Sequence, residues 1–283
     1  MPAAALTLVL LSGFVHAIWN VFAKRSGHKA VFLWWCQWAA IAVFLPFALR
    51  ELAVLQPVSP VGWLLAAASV ALHGVYVLLL AKTYTAGDLS QAYPIMRGTS
   101  PLLVPLLGVL LLQERLPWTG WCGVMLIVGG IALTGDWRAL FRGRRSAANR
   151  TLPLAMAVGV MIAGYTVVDK IALAHLPAIT LNWLSNVGNL LALSTIALRS
   201  GAMVKEWRLH WPTIVLGGLL APGGYVLFLK ALELAPVSHL APMREIGTVF
   251  GALLGIFWLK ESRGASRIAA SGFITAGIVL LAW

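Results

Sequence analysis

The chain reads as an all-α membrane protein with ten transmembrane helices arranged as two inverted five-helix repeats. Three observations carry that reading. Of its 283 residues, 60% are hydrophobic and only 11% charged, whereas a soluble domain carries about 25% charged residues. Ten apolar segments can be marked, each close to the ~20 residues that a bilayer core requires. The second half of the chain also repeats the first.

The segments lie near 4–23, 31–49, 61–81, 89–112, 118–135, 152–171, 178–198, 211–231, 237–259 and 266–283. Short punctuated turns separate them, such as Gln56-Pro57-Val58-Ser59-Pro60. Val15-His16-Ala17 loosely resembles a signal cleavage site, but no basic n-region precedes it and the apolar run continues through Trp19 and Phe22. The first segment is therefore read as a helix. The longest polar connection separates five spans from five, giving a first repeat at 1–135, a basic linker at 136–150 and a second repeat at 151–283. Five is odd, so consecutive halves enter the membrane from opposite sides. That makes an inverted repeat, with the expected site near the midplane between the halves.

The repeat is clearest where residues 92–114, AYPIMRGTSPLLVPLLGVLLLQE, align with 239–261, HLAPMREIGTVFGALLGIFWLKE. Arg97 matches Arg244, Gly108 matches Gly255 and Glu114 matches Glu261. Ala17–Lys24 likewise aligns with Ala163–Lys170, and Gly74-Val75-Tyr76 with Gly223-Gly224-Tyr225. A guanidinium inside a membrane helix costs about 2.5–3.5 kcal/mol on the mild insertion scale. Two at equivalent depth predict a shared internal site, where a guanidinium favours carboxylate, phosphate or phosphonate. Snorkelling of each to the near interface is the plainer alternative.

Charge and aromatic placement fit the membrane assignment. A net charge of +12 in a soluble protein would suggest nucleic acid. Here the basic residues cap apolar runs, so the lipid bilayer is the expected partner. Loops after odd-numbered spans hold fifteen basic residues and the other side four, which places both termini outside the cytoplasm by the positive-inside rule. The remaining two of the 21 are Arg97 and Arg244. Trp63, Trp118, Trp121, Trp137, Trp207, Trp211, Trp258 and Trp283 form an aromatic belt near span ends. Gly120, Gly123, Gly129 and Gly130 in span five, and Gly272, Ala276 and Gly277 in span ten, suit close helix packing, within a monomer or across a homodimer. Cys36 and Cys122 lie in apolar runs and fit neither a disulfide framework nor a metal site.

Polar stripes at helical spacing mark further candidates. Span one offers Ser12, His16, Trp19 and Asn20, and span three offers Ser69, His73 and Tyr76. Span seven carries Asn182, Ser185, Asn186 and Asn189, which either line the site or join helices. Tyr165 and Tyr225 are candidate path residues, with aromatic packing as the alternative. Glu245, beside Arg244, is the first candidate for proton coupling, or else a counter-ion to Arg97. Asp169 and Glu233 are placed near span ends, and Glu114 and Glu261 are expected to cap and anchor. Pro94, Pro101 and Pro105 are expected to interrupt span four, Pro222 span eight, and Pro236 with Pro242 to open span nine, freeing backbone groups toward the site.

Together, Tyr93-Pro94…Gly108…Gln113-Glu114, Ala241-Pro242…Gly255…Lys260-Glu261 and His16-Ala17-Ile18-Trp19-Asn20 with Lys24 resemble the EamA family of the drug/metabolite transporter superfamily over nearly the whole chain. The resemblance implies a ten-helix bundle of bacterial type in the inner membrane. It also implies a central cavity lined by spans one, three, four, six, eight and nine, with alternating access by rocking of the two halves. It further implies termini in the cytoplasm, the reverse of the charge count.

The expectation is a secondary transporter, working as an exporter, of a small polar metabolite that is anionic or zwitterionic, such as an amino acid, organic acid or phosphonate. Arg97 and Arg244 are the expected anion anchors. A drug or organic-cation exporter with an aromatic cage of Trp19, Tyr76, Tyr165 and Tyr225 is the alternative, and a lipid-translocating accessory protein a third. No cofactor, metal or nucleic acid is expected. An enzyme is disfavoured, since the chain has neither H-E-x-x-H nor G-x-S-x-G.

Overall fold

The computed structural model describes residues 1–23, 27–55, 57–86, 89–135, 145–257 and 264–283. The helices run as α1 (Ala3–Ala23), α2 (Lys29–Val54), α3 (Pro60–Ala86), α4 (Leu89–Leu111), α5 (Trp118–Leu133), α6 (Arg145–Ala172), α7 (Ala178–Arg199), α8 (Met203–Leu234), α9 (Val237–Met243), α10 (Ile246–Phe257) and α11 (Gly264–Ala282). No strand occurs among the described residues. With α9 and α10 forming one divided span, these are ten membrane spans in two five-helix repeats. Five helices, α2, α3, α4, α6 and α8, cross by length and hydropathy alone. Helices α1, α5 and α11 present shorter apolar stretches, and asparagines dilute α7.

Packing interleaves the halves. The heaviest contacts join α1 to α8, α3 to α6, α4 to α6, α2 to α7 and α5 to α11. Exchanging the repeats turns the α1–α8 contact into α6–α3 and the α4–α6 contact into α9/α10–α1, so the list maps onto itself. One central set is therefore α3, α4 and α6, and the other is α1, α8 and α9/α10. Each set mixes both halves of the chain. A helix buries its apolar face against whichever neighbour complements it, from whichever half of the chain that neighbour comes. Across the seam between the sets α6 and α8 touch only lightly, whereas α4 packs directly on α9.

The prolines of spans four and eight do not break their helices. α4 runs unbroken through Pro94, Pro101 and Pro105, and α8 through Pro212 and Pro222. Each proline removes one i→i−4 bond, and packed neighbours in a bundle tolerate the loss. Only span nine divides. After Pro242 the bonding shortens to i→i−3, with Glu245 N–H donating to the Pro242 carbonyl (3.0 Å), Gly247 to Arg244 (3.1 Å) and Thr248 to Glu245 (2.8 Å). The break falls on Arg244-Glu245, so the cation ends α9 and the anion opens α10, as helix dipoles favour. Helix α1 meets this break at Gly13, where a Cβ on Gly247 would lie 2.9 Å from the Gly13 carbonyl.

Among the described residues, three carboxylates cap helices of the other half. Glu114 accepts from Val237 N–H (2.9 Å) and Ser238 N–H (2.8 Å) at the start of α9. Glu206 accepts from Gly27 (3.1 Å) and His28 (3.0 Å) before α2, and Glu51 from Thr180 N–H (2.8 Å) in α7. A carboxylate there satisfies donors that have no intrahelical acceptor. Glu114 thus has the capping role expected of it, while Glu261 lies outside the described residues. Charge-assisted hydrogen bonds contribute about 1.5–3 kcal/mol each. Glu114→Ala is accordingly expected to lower the unfolding midpoint clearly, and Glu114→Gln less, in thermal scans of the detergent-purified protein.

Small residues set the α5–α11 contact. A Cβ on Gly123 would lie 2.7 Å from the Gly277 carbonyl, while Gly129 and Gly272 face open space. Packing within one chain therefore accounts for Gly123 and Gly277. Trp63, Trp118, Trp207, Trp211 and Trp283 are exposed, as anchors in the headgroup zone would be; Trp137 and Trp258 lie outside the described residues.

Candidate functional site

Two polar groups meet on the seam. The first joins the repeat-equivalent arginines. Arg97 on α4 reaches Glu245 across the seam, Nη1 to Oε1 3.4 Å, with its side chain 16% exposed and that of Glu245 7% exposed. Arg97 Nε also donates to the Tyr93 hydroxyl at 3.3 Å. Glu245 accepts from the Thr248 hydroxyl at 3.2 Å, so it serves as counter-ion to Arg97. Arg244 lies over the Tyr225 ring at 5.1 Å and the Phe228 ring at 4.6 Å. Its Nε is buried with no acceptor among the described residues. Neither arginine snorkels to a headgroup.

The second group centres on Asp169, which is wholly buried. Its Oδ1 accepts from the Ser69 hydroxyl and its Oδ2 from the Tyr225 hydroxyl. His73 Nε2 lies 3.8 Å from Oδ2. Tyr165 stacks on His73 with centroids 4.0 Å apart, and Tyr76 packs edge-on against Tyr165 at 5.5 Å. Tyr225 touches both groups, since it also packs edge-on against His73 at 5.6 Å. His16 and Tyr76 both lie within electrostatic reach of Arg97 and Arg244. The helices involved are α1, α3, α4, α6, α8 and the α9–α10 break.

Several sequence candidates are placed elsewhere. Trp19 packs into a cluster with Phe32, Cys36 and Ile214, stacked on Phe32 at 5.7 Å. Its ring fills the space left by Gly217, where any Cβ would overlap it. It is a packing residue between α1, α2 and α8, and no member of an aromatic cage. Gly217→Ala is expected to destabilise by about 1–3 kcal/mol through overpacking, read as a lower thermal midpoint. The Asn20 side chain lies outside the described residues.

In the span-seven stripe only Ser185 approaches the site, 3.3 Å from Ser69 Oγ. Asn186 donates to the Asn182 carbonyl of its own helix at 2.7 Å. Asn182 Nδ2 and Asn189 Oδ1 are buried without a protein partner. Helix α7 packs on α2 and α3, which keeps the asparagines away from the arginines.

Asp169 is the residue whose importance the sequence reading missed. Its closeness to the span end suggests an exposed position, yet Asp169 is wholly buried, bonded to Ser69 of α3 and Tyr225 of α8. The i, i+4 spacing of Tyr165 and Asp169, facing the Ser69–His73 stripe, was the available signal.

Ten apolar spans, an inverted repeat with interleaved helices and titratable side chains gathered on the central seam define a membrane transporter. The chain matches the EamA-like transporter family over residues 3–135 and 149–283, and it belongs to that family. It is 29% identical over 72 residues, 25% of its length, to an uncharacterized transporter in a cobO 3' region of a Sinorhizobium species. The match spans about half (51%) of that curated relative. A solved crystal structure superposes with a TM-score of 0.75 at 18% identity, covering 98% of this chain and 94% of the other, and so shares the fold.

Proposed function

We propose that this transporter exports a small polar metabolite carrying an anionic group, either an acid or a zwitterion, across a bacterial inner membrane. What supports the reading above all is the buried Arg244 Nε without an acceptor, on a guanidinium whose repeat partner Arg97 already holds Glu245. A buried donor left unmade costs about 1–3 kcal/mol, and a carboxylate, phosphate or phosphonate oxygen would satisfy it. The cycle is alternating access by rocking of the α3–α4–α6 set against the α1–α8–α9/α10 set. Rupture of the Arg97–Glu245 and Asp169–Tyr225 contacts would open the seam.

The organic-cation reading is weaker, because Arg244 already covers the Tyr225 face. The test is flux in proteoliposomes against amino acids, organic acids, phosphonates and monovalent organic cations. Transport of solutes bearing a carboxylate or phosphonate is the expected result; preference for organic cations would overturn the charge assignment.

A further inference from the structure

Glu245 is tied to Arg97, a group that keeps its proton at any physiological pH, so the pair is poorly suited to proton exchange. Asp169 is different. The basic group beside it is an imidazole, His73 Nε2 at 3.8 Å, a side chain that can exist with or without its charge. We propose that Asp169, paired with His73, is a proton-binding site that couples proton movement to the transport cycle. The proposal rests on the transporter reading above but not on its substrate class.

Placing an unpaired ion in such surroundings costs several kcal/mol, so the pair stays near net neutrality by holding one proton on either the carboxylate or the ring. The hydroxyls of Ser69 and Tyr225 can each donate or accept, so the pair can change its proton count without stranding a donor. The other groups facing it are Tyr165 on the same helix, Ser185 of α7 through Ser69, and Arg244, within electrostatic reach of His73. From α4, Arg97 lies within reach of Tyr165.

Geometry ties the site to the conformational change. Ser69, His73 and Asp169 belong to one helical set, while Tyr225 belongs to the other. Opening the seam takes away the Tyr225 hydroxyl and admits water, which is the moment of proton exchange. A proton taken from one aqueous side is carried on the pair through closure and released to the opposite side. The repeat supports a single such site. Arg97 with Arg244 and Tyr76 with Tyr225 are doubled, but the positions equivalent to Asp169 and His73 are Ala23 and Pro222.

The test is infrared spectroscopy of the reconstituted protein, without substrate, between about pH 5 and 9. A protonated-carboxyl band that titrates in this range is expected, lost in Asp169→Asn and retained in Glu233→Gln, with its midpoint shifted in Tyr225→Phe. A band unchanged by pH, or persisting in Asp169→Asn, overturns the proposal. Should Asp169→Asn fail to fold, His73→Gln decides, since an unaltered titration there also overturns it. In vesicles holding a pH-sensitive dye, whichever solute of the panel is transported should evoke a pH change, and the protons moved per labelled solute should fall in Asp169→Asn; an unchanged ratio overturns the proposal. A panel with no transported solute refutes the substrate class, and the infrared titration still judges Asp169.

Discussion

Arg244→Ala is expected to reduce transport by about 100-fold with expression and folding preserved. One charge-assisted hydrogen bond from Arg244 Nε to a substrate anion, at about 1.5–3 kcal/mol, accounts for a loss of that size at the upper end of its range. Arg97→Ala is expected to be at least as damaging, because it removes a cation from the site and also the contact that closes the seam. Lysine replaces the charge but not the planar fork, so Arg244→Lys should retain only a small part of the activity. Initial rates in proteoliposomes, normalised to incorporated protein, provide the measurement. Wild-type rates in both alanine variants would remove the arginines from the site.

Stability is expected to divide the two arginines more sharply, and in the same order. Arg97→Ala leaves Glu245 buried without its counter-ion, and breaking a buried pair in this way costs about 3–5 kcal/mol. Adding Glu245→Gln removes the stranded charge and should recover most of that loss without restoring transport. Arg244→Ala forfeits ring contacts with Tyr225 and Phe228 worth about 0.5–2 kcal/mol, so its thermal midpoint should fall less. Thermal unfolding in detergent of the wild type, Arg97→Ala, Glu245→Gln, their double mutant and Arg244→Ala tests this. An additive double mutant, with no recovery, would mean that Arg97 and Glu245 do not act as a pair.

Much of the site was legible because periodicity and duplication leave local marks. Arg97 and Arg244 were found from the repeat, His73 and Tyr76 from an i, i+3 stripe, and Tyr165 and Tyr225 from matched blocks. These side chains do converge on one seam. Trp19 shows where the same logic fails. Its repeat equivalent is Tyr165, yet the partner faces differ: Trp19 meets Gly217 and Phe32, while Tyr165 meets His73. A degenerate repeat keeps backbone positions better than side-chain environments. Asp169 failed for a related reason, since distance from a helix end says nothing about which neighbouring helices cover that end.

Composition, span length and the doubled motifs determine a ten-helix membrane protein with an inverted repeat, because a bilayer demands apolar segments of set length and duplication is written along the chain. Which helices share a set, where span nine divides, which carboxylate meets which cation, and that acids of one half cap helices of the other depend on packing. Those are contacts between residues tens to hundreds of positions apart. They follow from the mutual fit of side chains on touching helices, a property that no single segment carries.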